Sequence, residues 1–303
     1  MENVTFSVLI CTYNRHEILR KALYALIEET TEKPDEIVIV NGGDEQADRV
    51  INAFAIRSKI EIKLVRTVNK NLAVSRNVGL PHCAGSIVAM TDDDAEVFPD
   101  WVTQMKRVHA EHPEAGAVGG KVIGVGSEES IINRLADIAT FPSPSEPGYV
   151  RTLPGVNISY KRAVLELLGL QDETLFRGED VDYNWRVKQL GYQVYYHPDI
   201  KVNHHHRPTL RQFLYQHFMY GRAYYLVRCK WPDMYCIYPH KVRRLKDILK
   251  TINFLAEAVY QPILVSSRLN TWPDRLLALP ILIVNQVAWR CGIIIQYLLK
   301  SDI

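Results

Sequence analysis

The sequence predicts an α/β fold: a mainly parallel sheet with helices on both faces, followed by amphipathic helices in the C-terminal third. Three observations predict it. Short, continuous apolar runs bounded by polar residues read as strands buried on both faces. They alternate with segments whose apolar residues recur at helical spacing, the pattern of strand–helix–strand units. The polar clusters "TYNR", "NGGD" and "TDDD" each follow the end of such a run, and open α/β sheets bind ligands at the carboxyl ends of their strands.

The elements follow in order. "FSVLIC" predicts a first strand, and "HEILRKALYALIEE" predicts a helix with Ile18, Leu19, Ala22, Leu23 and Leu26 on its apolar side. "EIVIV" predicts a second strand ending in the turn "NGGD", "ADRVINAFAI" a helix and "EIKLVRT" a strand. "AVSRNVGLPHCA" predicts a helix and "SIVAM" the strand that runs into Asp92, Asp93 and Asp94. Residues 121–153 carry little pattern, and "FPSPSEPG" reads as a loop. "GVNISYKRAVLELLGL" predicts a short strand or turn and a helix, and "VDYNWRVKQLGYQVYYHPDIKV" a helix, a glycine stop and a closing strand. From about Thr209 the texture changes to a long aromatic helix and two apolar helical stretches, residues 247–268 and 276–299. The expected division is a catalytic part, residues 1–207, and a basic, apolar helical part, residues 208–303.

Composition is that of an ordinary globular chain: 303 residues, 47% hydrophobic and 23% charged. The net charge of +2 names no partner and gives no reason to expect nucleic acid. Its distribution is uneven: the first 200 residues carry −8 and the rest +10, so the two parts are suited to different tasks. The five cysteines are scattered, with no Cys-x-x-Cys pair, which suggests neither a zinc knuckle nor a disulfide framework. "MENVTFSVLICTYNR" lacks the basic region and cleavage site of a signal peptide. A cytoplasmic chain with reduced thiols is expected.

Three adjacent carboxylates repel one another and need solvent or a cation. Asp92–Asp94 read either as a solvated turn at a helix start or as a divalent cation site, since carboxylate oxygens suit Mg²⁺ or Mn²⁺. In an extended segment, alternate residues share a side. Asp92 and Asp94 would then face a ligand together and Asp93 would face elsewhere.

"FSVLICTYNR", "EIVIVNGGD", "NKNLAVSRNVGL", "AGSIVAMTDDD" and "FRGEDVDYNWR", in that order over about two thirds of the chain, resemble the inverting family 2 glycosyltransferases of the GT-A fold. The resemblance implies a nucleoside-diphosphate sugar donor, with a UDP-sugar favoured. It also implies Mn²⁺ or Mg²⁺ at the Asp-x-Asp motif and a catalytic carboxylate. Thr12, Tyr13 and Asn14 match the first nucleotide loop, although Thr12 or Asn14 also suits a helix cap. Asn41 stands where the family usually has an acidic contact to the base, and Asp44 either compensates or caps the next helix. Asn71 stands where glycine is common, and asparagine tolerates positive φ. Arg76 and Asn77 would support the base and the Asp-x-Asp loop. Asp93 would be a base contact or a loop cap.

Glu179, Asp180 and Asp182 form the second acidic cluster, comfortable at a helix N-terminus on its own account. The resemblance makes Asp180 the general base, with Glu179 holding the loop or touching acceptor, and places sugar selection at Gly155, Asn157 and Gly178. In "NHHHR", His204 and His206 share a face of an extended segment, and imidazole ligates Mn²⁺. The resemblance favours a metal-ligating histidine here, with His204 taken before His206, and a neighbouring His or Arg207 as a diphosphate contact in the alternative. The Gln-x-x-Arg-Trp motif of processive relatives is absent, and "QHFMYGR" stands in its place.

Residues 276–299 are long enough to cross a bilayer. Yet Asn285, Gln286, Arg290, Gln296 and Lys300 gather within an arc of roughly 140°. With the tail's positive charge, this suits an amphipathic helix lying on the anionic cytosolic leaflet, and a lipid-linked or glycan acceptor would follow. Internal packing or a homodimer contact, and a single span, are the alternatives. The rival readings of the whole chain are a sugar-nucleotide pyrophosphorylase-like enzyme, which would need a glycine-rich loop that "CTYNRHE" lacks, and a non-catalytic binding protein on a GT-A fold. The latter would be expected to have lost Asp92, Asp94 or Asp180.

Overall fold

The computed structural model describes residues 4–126, 130–206, 209–234 and 245–300. Arg207 lies outside them. The elements are β1 (Phe6–Thr12), α1 (His16–Tyr24), β2 (Glu36–Asn41), α2 (Glu45–Arg57), β3 (Glu61–Arg66), α3 (Leu72–Gly79), β4 (Ile87–Asp92), β5 (Ala95–Val97), α4 (Trp101–Glu111) and β6 (Ala115–Gly124). They continue as α5 (Ile131–Thr140), β7 (Gly148–Tyr149), β8 (Asn157–Lys161), α6 (Arg162–Leu168), α7 (Glu179–Gln189), β9 (Gln193–His204), α8 (Leu210–Lys230), α9 (Leu245–Ser266) and α10 (Trp272–Lys300).

The chain divides into two compact units, Met1–Val125 with Ser143–His205, and Gly126–Pro142 with His206–Ile303. The segment carrying α5 therefore groups with the C-terminal helices.

In the first unit one sheet has the order β3-β2-β1-β4-β8-β6-β9-β5, with β7 on β9. Strands β3, β2, β1 and β4 are parallel, and β8 runs antiparallel between β4 and β6. Strands β1 and β2 are buried almost end to end, which is why they read as unbroken apolar runs. Leu9, Val38, Met90, Ile158, Tyr160 and Tyr183 join in one core cluster. The expected pattern missed β5, α4, β6, α5 and β7. Strand β6, "AGAVGGKVIG", is mostly small residues, so a ten-residue strand leaves no strong apolar signal. Parallel β1 and β4 end together, with Cys11 opposite Asp92. That register puts the first polar loop beside the aspartate triplet.

In the second unit, α8 and α10 come into backbone contact. A Cβ at Gly221 would lie 1.9 Å from the Trp289 carbonyl oxygen, and one at Gly292 would lie 2.1 Å from that of Phe218. Leu135, Phe213, Leu269, Ala278 and Leu282 form the core there. The polar arc of α10 does not face outward as the amphipathic reading expects. Asn285 and Gln296 are buried, and Arg222 Nε donates to Gln296 Oε1 at 3.0 Å. Arg290 Nη2 donates to the Phe254 carbonyl at 2.7 Å. These polar side chains pack inside the bundle beside Ala278, Leu282 and Ile293, while Ile283, Val284, Val287, Ile294 and Leu298 are exposed.

Candidate active site

Three loops at the carboxyl ends of β1, β2 and β4 build one side of the site. After β1, Asn14 takes φ 54°, a left-handed turn that asparagine tolerates. Its side-chain oxygen accepts the Asp44 amide at 2.8 Å. Neither Thr12 nor Asn14 caps α1; Arg15 occupies that position without a side-chain cap bond. Tyr13 is 49% exposed, whereas Thr12 is buried and donates to Asp93 Oδ2 at 2.7 Å.

Asn41 departs from its expected role as a base contact. It is fully buried; its amide nitrogen donates to the Asp44 carbonyl and Asp48 Oδ1, and its oxygen accepts the Gly43 amide. The side chain is thus spent on shaping its own loop. Asp44 caps α2, accepting from Gln46 and Ala47. Asn71 likewise corrects an expectation: it is extended, with φ −159°, and caps α3 by accepting the Val74 amide. Asn77 is buried and pins residues 171–173 through three hydrogen bonds.

Asp92 ends β4 and Asp93 and Asp94 form the turn before β5, so the triplet is not the extended segment that strict alternation assumes. Asp93 is 4% exposed and bonded to Thr12 and Arg15. Burial pushes its carboxyl up to about 6, against the pull of Arg15. Asp92, Asp94 and His204 converge instead, with one ligand atom from each lying within 4.8 Å of the others. His204 Nε2 is 3.3 Å from Asp94 Oδ1. Burial alone would raise Asp94, but the His204 contact and Arg15 hold it down at about 2. Asp92 goes the other way, raised by burial despite Arg76. Strand pairing places His204 beside Ala95, so β9 delivers the imidazole across the sheet. Two carboxylates and an imidazole are a donor set that fits Mn²⁺ or Mg²⁺. His206 is not part of it: its Nε2 lies 2.7 Å from Asp137 Oδ1 and its ring stacks on Phe141.

The second side of the site is the start of α7. Gly178 takes φ 80° as its N-cap, a conformation that favours glycine. The next residues are Glu179 and Asp180. Asp180 Oδ2 accepts the Gly155 amide at 3.0 Å and Oδ1 the Val181 amide at 2.8 Å. Glu179 is buried, and burial, reinforced by Asp180, pushes it up to about 7 against Arg76. Asp182 is fully buried and paired with Arg186 at 3.1 Å. Asn157, expected near the sugar, is fully buried as well. It accepts Trp101 Nε1 and donates to the Lys121 and Ile200 carbonyls, so it holds the sheet.

Arg76 joins the two sides. The guanidinium is 3% exposed and donates to Glu179 Oε1 at 3.1 Å, Asp92 Oδ1 at 3.4 Å and the Gly155 carbonyl at 3.2 Å. At this depth it braces carboxylates. Sequence reasoning missed Arg15, which donates through Nη1 to Asp93 and Asp94. The available signal was its place in "TYNR", a basic residue in the loop next to an acidic one.

A sheet of this order, carrying an Asp-x-Asp cluster and a second acidic loop at its strand ends, is the fold of GT-A glycosyltransferases. A mannosyltransferase of Pyrobaculum calidifontis, solved with GDP-Man and Mn²⁺, superposes with a TM-score of 0.67 at 16% identity, over 99% of this chain and 89% of that one. Residues 7–168 match the family model for glycosyl transferase family 2, and the chain belongs to that family and is a glycosyltransferase. It is 29% identical over 214 residues to a glucosyl-dolichyl phosphate glucuronosyltransferase of Haloferax volcanii, covering 65% of this chain and 68% of that one. It is 27% identical over 172 residues to a pre-mycofactocin glycosyltransferase of Mycobacterium tuberculosis, covering 54% of this chain and 36% of the relative.

Proposed function

We propose that the chain transfers a sugar from a nucleoside-diphosphate donor to a hydroxyl of a glycan or lipid-linked acceptor, with inversion and with Mn²⁺ or Mg²⁺. The observation that carries this reading is the Arg76 junction, which fixes the cation-side carboxylate Asp92 to the loop that presents Asp180. Asp92, Asp94 and His204 would hold the ion. When bound, it supplies the counter-charge for the leaving diphosphate. Asp180 takes the proton of the acceptor hydroxyl as the oxygen attacks the anomeric carbon opposite the leaving group, and a single displacement inverts that centre. The Gly155 and Val181 amides orient the Asp180 carboxylate. Glu179 acts through Arg76.

The acceptor side rests on the helices. Trp272–Leu299 is long and apolar enough to cross a bilayer by length and composition, and it leaves Ile283, Val284, Val287, Ile294 and Leu298 exposed. An exposed apolar face of this kind calls for lipid or a partner, and the tail's excess of Lys and Arg suits an anionic cytosolic leaflet. We favour attachment to that surface over a homodimer, and the dolichyl-phosphate chemistry in the name of the Haloferax relative is consistent with a lipid-linked acceptor. A panel of UDP- and GDP-sugars with Mn²⁺ or Mg²⁺, scored for binding and slow hydrolysis, tests the donor assignment. Binding that ignores EDTA and Asp94→Ala would remove the metal from the account.

A further inference from the structure

We infer that Arg15 ties the loading of the divalent cation to the loading of the donor diphosphate. The inference rests on the metal assignment above and extends it to a residue outside the ligand set. Arg15 Nη1 donates to Asp93 Oδ1 at 3.0 Å and to Asp94 Oδ2 at 2.6 Å. Asp93 is closed on its other oxygen by Thr12, whereas the Oδ1 of Asp94 faces His204. Among the described residues, Arg15 is the only Lys or Arg paired with either aspartate.

Its position gives that charge two opposite effects. The Arg15 side chain is 43% exposed, against 6% for Asp93 and 14% for Asp94, so the guanidinium stands on the solvent side of the carboxylates. No partner is recorded for its Nε and Nη2 among the described residues. A cation arriving alone at Asp94 meets a fixed positive charge already neutralising its ligand. A diphosphate arriving beside that cation meets the same charge as an attraction, with the free edge of a guanidinium fork suited to phosphate oxygens. Arg15 therefore disfavours the ion by itself and favours the ion together with the diphosphate.

A purely structural role would make a different prediction. If Arg15 only oriented Asp94, removing it would weaken both ligands. If its charge couples them, removal strengthens one and weakens the other.

The test uses the full chain with Mn²⁺ as the metal and UDP or GDP as the probe. Bound Mn²⁺ is read from loss of the free-ion EPR signal. Arg15→Met is expected to bind Mn²⁺ alone roughly tenfold more tightly and to bind the diphosphate at saturating Mn²⁺ roughly tenfold more weakly. Arg15→Lys keeps the charge and is expected to stay near the wild type for Mn²⁺ alone. Arg15→Gln repeats the charge loss with a polar side chain, should the methionine variant not fold. Weakening of both ligands, or a change in neither, overturns the inference while leaving the metal site standing. A wild type that takes up no Mn²⁺ even with UDP or GDP overturns the metal assignment, and this inference with it.

Discussion

Arg76 Nη1 lies 3.1 Å from Glu179 Oε1, with both side chains buried. The pair joins α3 to the first turn of α7, 103 residues further along the chain. Removing one member of a buried pair leaves the other charge without compensation, typically at a cost of about 3–5 kcal/mol. Arg76→Met is therefore expected to lower the urea midpoint and to abolish transfer. A variant with wild-type stability would show that Glu179 readily takes a proton and does without its partner.

Gly155 is held to its size by the same guanidinium. A Cβ there would stand 2.7 Å from Arg76 Nη2 and 2.8 Å from Nη1. Gly155→Ala should fold, push the guanidinium aside and disturb the amide that orients Asp180. Misplacing a catalytic group by about 1 Å costs on the order of a hundredfold in rate, and turnover at saturating donor is expected to fall by about that much. Unchanged turnover would separate Gly155 from the positioning of Asp180.

His109 supplies a pH dependence away from the site. It is buried, with Nε2 2.9 Å from Ser159 Oγ. Burial, with the charge of Lys161, lowers it from 6.5 to about 3. Between those values the unfolded chain binds a proton that the folded chain refuses. This contribution to stability is complete above pH 6.5 and is lost as the pH falls toward 3. His109→Gln should flatten the difference in unfolding free energy between neutral pH and about pH 5. Equal slopes in both proteins would mean that His109 is protonated in the fold.

The outward face of α10 yields a fourth prediction. Val284 and Ile294 are 51% and 56% exposed. Placing glutamate at both should sharply reduce recovery of the protein on vesicles containing anionic lipid, because burying a carboxylate in apolar surroundings is costly. Unchanged recovery, with a smaller species in sedimentation, would assign this face to a second copy of the chain.

The sequence showed the parallel strands plainly because β1, β2 and β4 are buried on both faces and must be apolar throughout. Strand β6 was hidden because its backbone packing admits alanine and glycine, which carry little pattern. Helical periodicity on α10 correctly grouped Asn285 with Gln296, but it says only which residues share a face. The partners that decide which face turns inward, such as Arg222, are distant in the chain. Asp92, Asp94 and a histidine of "NHHHR" were readable as candidate ligands by residue type and family resemblance, but spacing did not separate His204 from His206, which Asp137 takes instead. The inward commitments of Asn41 and Asn157 were not readable, because an amide that shapes a loop or ties a sheet looks the same in sequence as one that meets a ligand.

The most direct test of the central claim is Asp180→Asn, assayed with Mn²⁺ for donor binding and for transfer. The account predicts donor binding within a few-fold of the wild type and transfer lowered by a factor on the order of 10²–10⁴. The wild-type product should carry the anomeric configuration opposite to the donor's by NMR. Substantial turnover in the variant, or a product with the donor's configuration, would contradict it.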